Sequence, residues 1–179
     1  MENTRKVSLF ISTSLDGYIA REDGSIDWLF NDQDYGYEAF YEEVDTVIMG
    51  RHTWNKLKEI GDYPFNDKQG VVFSSALTGQ ADPNVTFVTE PVADWLQREK
   101  PADRGTIWLM GGAKLVDECL QAGLVDEIIL SIHPILLGNG IPLFRGKQPE
   151  TRLELVSQRA YHTGLVRLVY RRAGQTAAE

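Results

Sequence analysis

The chain has 179 residues, 42% of them hydrophobic and 25% charged, which suffices for one domain with a proper core. Its formal net charge of −8 and pI near 4.9 repel phosphate backbones and anionic lipid, so nucleic acid and membrane surfaces are excluded as primary partners. The single cysteine, Cys119, can neither close an internal disulfide nor complete a metal site, no apolar run is long enough to span a bilayer, and the N-terminus lacks a signal pattern. A cytoplasmic protein without metal is expected.

A strand rich in β-branched residues is predicted at 6–12. Residues 34–43 place Tyr37, Phe40 and Tyr41 on one helical face. The apolar run at 45–50 reads as a buried strand that turns at Gly50 into the helix beginning "RHTWNKL". Strands at 70–75 and 85–89 follow, and Pro91 then opens a helix with Val92, Trp95 and Leu96 on one side. After a strand at 106–111, Leu115, Val116, Cys119 and Leu120 form the stripe of another helix, which Gly123 closes. A strand at 126–136 precedes two final runs joined at His162, Thr163 and Gly164, the pattern of an antiparallel edge hairpin. Strands alternating with helices predict an α/β fold with a mostly parallel sheet and an antiparallel C-terminal hairpin. One domain is expected over 1–172, with a disordered tail over 173–179.

Three strand ends carry small residues: "MGRHT" at 49–53, "FSSA" at 73–76 and "MGGAKL" at 110–115. Ligands of open α/β sheets sit beyond the carboxyl ends of the strands, where helix N-termini present free N–H groups. Glycine admits a close approach, Arg51 and His52 add cationic contacts, and Ser74 and Ser75 add hydroxyls. A glycine after a buried strand is often only a turn, and "GGAKL" is neither GxGxxG nor a P-loop. Three such ends together suggest a long anionic ligand such as a dinucleotide.

"VIMGRHTW" resembles the cofactor-binding strand–helix junction of dihydrofolate reductases. "SLDGYIA" with "GSIDWL", "WLMGGAKL" and "HPILLGNGIPLF" are similar to the dihydrofolate-reductase-like group, the last of these to its RibD C-terminal branch of riboflavin-biosynthesis reductases. The resemblance runs from residue 6 to 144 in the family's order and, with the terminal hairpin, covers nearly the whole chain. It implies a dihydrofolate-reductase-like three-layer α/β/α fold, NADPH as cofactor, and a homodimer. By this likeness Gly50, Arg51, His52 and Thr53 would hold the pyrophosphate from one side, and Gly111, Gly112, Ala113, Lys114 and Leu115 from the other. Ser74 and Ser75 would lie near the 2′-phosphorylated ribose, and the loop from Asp16 to Ala20 would close over the nicotinamide.

The family's spacing also assigns a substrate pocket of Asp16, Trp28 and Tyr37, with Asp34, Asp32 and Ser131 as the catalytic set. Read from the residues alone, Asp32 or Asp34 is equally an N-cap for the following helix. His133 is a pocket or a structural residue, and Trp28, Tyr37 and Tyr41 are core aromatics or a stacking platform. There is no cysteine pair and no H-x-E motif, so the zinc deaminase of bifunctional RibD enzymes has no counterpart and a stand-alone member is expected. "WLFNDQD" replaces the proline-rich stretch of dihydrofolate reductases, which moves folate to second place. The expected activity is reduction of a small heterocycle, most like 5-amino-6-(5-phosphoribosylamino)uracil. A pterin and a non-catalytic nucleotide-binding domain are the alternatives.

Overall fold

In the computed structural model, which describes residues 4–75, 82–101 and 104–174, β1 (Val7–Ser14) leads into a short β2 (Tyr18–Ala20). Then come α1 (Tyr37–Glu43), β3 (Val44–Gly50), α2 (Arg51–Ile60), β4 (Gln69–Phe73), β5 (Val85–Val88) and α3 (Val92–Glu99). The chain continues through β6 (Thr106–Gly111), α4 (Ala113–Gln121), β7 (Glu127–His133) and β8 (Ile141–Pro142) to the hairpin β9 (Leu153–Ala160) and β10 (Val166–Arg172). Eight of these strands form one sheet in the order β5-β4-β3-β6-β1-β7-β10-β9, while β2 and β8 pair separately. The pairs from β5 through β7 are all parallel, and β10 runs antiparallel to both β7 and β9.

Alternation along the strands explains the layers. Ile48, Val71, Leu109 and Leu9 pack on one face with Val92, Trp95 and Leu96 of α3 and Leu115, Val116 and Cys119 of α4. Val47, Met49, Val72 and Trp108 pack on the other face with Phe40 of α1 and Trp54 of α2. A strand buried on both faces cannot alternate apolar with polar, hence the continuous run "VIM" in β3. The expected α/β/α architecture, with its antiparallel C-terminal hairpin, is the observed one.

Boundaries differ in instructive places. The first helix begins at Tyr37, not 34, because Asp34 caps it from outside. The seventh strand ends at His133, before Pro134, which lacks the N–H a ladder needs. The small β2–β8 sheet has too few residues to show a period, and the sequence does not reveal it. Gly123, at φ +66°, follows the last turn of α4 as expected, and its N–H bonds to the Leu120 carbonyl. Of the expected tail, Ala173 donates to the Arg152 carbonyl, and residues 175–179 lie outside the described residues.

Candidate functional site

Parallel pairing brings the carboxyl ends of β4, β3 and β6 side by side. The helices α2 and α4 therefore start next to each other, at Gly50 and Gly112. Neither N-cap makes a side-chain hydrogen bond, so no side chain of the cap occupies the first-turn N–H groups. A Cβ on Gly50 would stand 3.7 Å from the Gly112 amide nitrogen, and one on Gly112 would stand 3.4 Å from Thr53 Oγ1. Gly111, at φ +128°, leaves nothing within 4 Å of where its Cβ would be. Two uncapped helix ends facing one open backbone surface make a cradle for a polyanion, with both dipoles favouring negative charge.

The residues expected around this cradle are distributed unevenly. Arg51 is half-buried, its guanidinium 5.5 Å from the Phe87 ring. His52 is exposed. Lys114 is exposed too and lies 3.8 Å from Glu118. Ser74 bonds through its N–H to the Val88 carbonyl just past β4, and Ser75 next to it is exposed. Ala113 and Leu115, in the first turn of α4, are buried, so what they can offer a ligand is backbone N–H. Ala20, also buried, ends β2 opposite Ile141.

Farther along the same edge of the sheet, a cavity of about 440 Å³ opens between β1, β7 and α1. Phe10, Ser12 and Ser131 form its floor; Asp34, Tyr37 and Glu38 form the α1 side; Phe30, Tyr35 and His133 close another wall. Ser12 and Ser131 are register partners on one face of the sheet, and both line the cavity. Aromatic walls with a few convergent polar groups are the usual make-up of a small-molecule site.

Asp34 stands at this cavity but its carboxylate is already engaged. It accepts from the N–H groups of Gly36 (3.1 Å), Tyr37 (2.7 Å) and Glu38 (3.1 Å). Slight burial pushes its pKa up, but those three N–H groups outweigh it and hold the pKa below the usual value. It is therefore an ionised cap at the cavity rim rather than a stored proton. Asp32 accepts the Tyr35 hydroxyl proton at 2.6 Å and is not part of the wall.

Asp16 and Trp28, expected in the substrate pocket, are not among the residues lining this cavity. Asp16 accepts from Ser14 Oγ (2.6 Å), Leu137 N–H (3.1 Å) and Gly138 N–H (2.8 Å), which pins the β1–β2 turn to the loop before β8. Trp28 is buried edge-on against His133, with ring centroids 5.2 Å apart. His133, only 2% exposed, accepts the Phe30 N–H on Nε2 at 3.2 Å. Burial lowers its pKa against the opposing effect of the Ser131 and Thr13 carbonyls, so it stays neutral.

Sequence reasoning missed Arg167. Its Cα pairs with that of Ser131, and strand alternation puts its side chain on the same face as buried Val169. The run "VRLVYRR" alternates equally well in either facing, so no local signal in the sequence marks it.

The RibD C-terminal domain family model matches residues 5–167. The chain is 41% identical over 173 residues to "Uncharacterized protein YwjB" of Bacillus subtilis (strain 168), covering 94% of this chain and 99% of that one. Its structure superposes on the "Putative riboflavin biosynthesis protein" of Shewanella sp. PV-4 with a TM-score of 0.83 at 28% identity, covering 93% and 98% of the two chains. It shares the fold of the diaminohydroxyphosphoribosylaminopyrimidine deaminase/5-amino-6-(5-phosphoribosylamino)uracil reductase of Thermotoga maritima. There the TM-score is 0.70 at 15% identity, over 95% of this chain and 57% of the other.

Proposed function

The chain belongs to the RibD C-terminal domain family, and on that premise we propose that it is an NADPH-dependent reductase of a small nitrogen heterocycle, most like 5-amino-6-(5-phosphoribosylamino)uracil. The observation that carries this reading is the adjacency of the two uncapped helix starts at Gly50 and Gly112, on the same sheet edge as the cavity floored by Ser12 and Ser131.

The residues present fit the cofactor. The N–H groups that open α2 and α4 would hold its pyrophosphate, with Arg51, His52, Thr53 and Lys114 around them. Ser74 and Ser75 would serve the 2′-phosphate end, and the Asp16–Ala20 turn, fixed by its carboxylate clamp, would border the nicotinamide. NADPH supplies the hydride when bound. The chain positions the two rings and keeps water out. Ser12 and Ser131 offer hydroxyls to the polar edge of the substrate, Tyr37 and Phe30 offer ring faces, and ionised Asp34 accepts from ring N–H groups. Asp32 acts at one remove, by holding Tyr35 in the wall.

The reading extends to a cytoplasmic homodimer. All eight residues of β9 are exposed, including Leu153, Leu155 and Val156, and a second copy would cover them. Among the described residues no helix is long and apolar enough to cross a membrane. Cys119 is buried on α4, with its thiol pushed up to about 12 by burial, and takes no part.

The test is tryptophan quenching by NADPH and NADH, followed by NADPH oxidation with the ribosylaminopyrimidine and with dihydrofolate. NADPH is expected to bind more tightly than NADH, less tightly in Arg51→Ala, and to be oxidised with the pyrimidine. Binding without oxidation of either substrate points to the non-catalytic alternative. Absence of quenching by either nucleotide at millimolar concentration ends the reductase reading.

A further inference from the structure

A polar row crosses the cavity floor from strand to strand. Ser12 of β1 pairs with Ser131 of β7, Ser131 with Arg167 of β10, and Arg167 with Arg159 of β9. Paired residues on neighbouring strands share a face, so the row begins under the cavity and ends in two adjacent arginines. Like charges at opposed positions of an antiparallel pair are destabilising unless something offsets them. Among the described residues neither Arg159 nor Arg167 forms an ion pair with a carboxylate.

The two guanidinium groups part ways. That of Arg159 lies 4.8 Å over the Tyr161 ring. That of Arg167 turns inward, its Cζ 6.0 Å from the centre of the Phe10 ring that floors the cavity. Arg167 Nε is sealed from solvent and has no hydrogen-bond partner among the described residues. The opposite side is closed by Gly36, where a Cβ would come within 2.7 Å of Nη1. Glycine at 36, already at φ +86°, thus leaves the room the fork occupies. Arg167 as a whole is half-buried, so one side of its guanidinium stays open to a ligand while its buried Nε–H lacks an acceptor among the described residues. Asp34, the carboxylate whose ionised form Arg167 favours, lies beyond ion-pair distance of it and also accepts three backbone N–H groups.

We propose that Arg167, which lies just behind the Phe10 ring of the cavity lining, is a specificity residue that binds an anionic substituent, phosphate ester or carboxylate, of a heterocycle held in this cavity. The proposal rests on the reductase reading for the ring but on its own geometry for the anion. It divides the substrate between two recognition elements: N–H donors of the ring face Asp34 on the α1 side, and the anionic arm reaches the β10 end of the floor. Guanidinium recognises both oxyanions through paired N–H···O bonds. Neutral rings would lack the second contact.

The test uses the Arg Nε–Hε resonances of the ¹⁵N-labelled protein, with that of Arg167 assigned by its loss in Arg167→Lys. The protein is titrated with inorganic phosphate, with acetate, and with chloride at matched ionic strength, in parallel with NADPH quenching. The expected result is a saturable shift of the Arg167 resonance by phosphate and not by chloride, with phosphate binding about tenfold or more weaker in Arg167→Met and NADPH quenching unchanged. A shift by phosphate alone assigns a phosphate ester; a shift by acetate as well assigns either oxyanion. NADPH quenching with an unmoved Arg167 resonance, or equal shifts by chloride, overturns the anion site and leaves the reductase reading standing. A moved resonance without NADPH quenching does the reverse. The titration of the unmodified protein decides the matter even if Arg167→Met does not fold.

Discussion

Asp34 accepts three N–H groups at the start of α1 and also borders the cavity, so two substitutions separate its roles. Asparagine caps a helix about as well as aspartate but carries no charge. Asp34→Asn is therefore expected to unfold at nearly the wild-type urea midpoint while KM for the heterocycle rises about tenfold, the worth of one hydrogen bond to a charged group. Asp34→Ala should in addition lose about 1 kcal/mol of stability. An unchanged KM in Asp34→Asn would reduce the residue to a cap. His133 gives a pH prediction. Burial places its folded pKa below the usual 6.5, so below that pH the unfolded chain takes up a proton the folded one refuses. Stability is thus undiminished above 6.5 and falls as the pH drops through it toward the lowered folded value. Urea midpoints on the two sides of 6.5 should differ less in His133→Gln than in the wild type; an equal difference would assign the slope to other groups.

All eight residues of β9 are exposed, so this strand faces solvent on both sides. An edge strand of that length with Leu153, Leu155 and Val156 uncovered invites pairing with another chain. A stable dimer needs about 800 Å² from each partner, which a strand and its flanks can supply. Leu155→Asp and Val156→Asp should each shift sedimentation toward the monomer while altering the unfolding midpoint by no more than about 0.5 kcal/mol, since an exposed side chain loses little on replacement. Monomers in the unmodified protein at all concentrations would remove the dimer. The same hairpin shows what sequence reveals and what it hides. Its two runs and the turn at His162, Thr163 and Gly164 are legible because alternation and a glycine turn are local signals. Arg167 is not, because "VRLVYRR" alternates equally well with its arginines in or out, and only the pairing with Ser131 decides the face. The cradle at Gly50 and Gly112 is legible because it sits at strand ends. The engagement of Asp16 by 137–138, and of Trp28 by His133, depends on contacts more than a hundred residues apart in sequence, which no local pattern records.

Across the whole molecule the two ends of the sheet are built on opposite terms. At the amino ends of the strands, charges are matched. Arg5, 2% exposed, pairs with Asp45, reaches Thr46 Oγ1 at 2.8 Å, and donates through Nε to the Gly105 carbonyl at 3.0 Å. Lys100 meets Asp126 at 2.5 Å, and Asp126 accepts the Val7 N–H at 2.8 Å. These contacts tie the starts of β1, β3, β6 and β7 together. At the carboxyl ends, the helix N-caps at Gly50 and Gly112 carry no side-chain hydrogen bond, and among the described residues Arg167 Nε is buried without a hydrogen-bond partner. Unmet polar groups are tolerated where a ligand completes them, and the matched end offsets what they withhold from stability. If that division holds, damage at the amino end should lower stability without touching the ligand sites. Arg5→Met removes the buried cation and leaves Asp45 partly exposed to water, at a cost of about 3 kcal/mol and a fall in Tm on the order of 10 °C. Nucleotide quenching and the Arg167 anion response, measured well below the new transition, should match the wild type. A variant that keeps its Tm but loses quenching would show that the two ends are coupled, and the cradle would then owe its shape to the ion network beneath it.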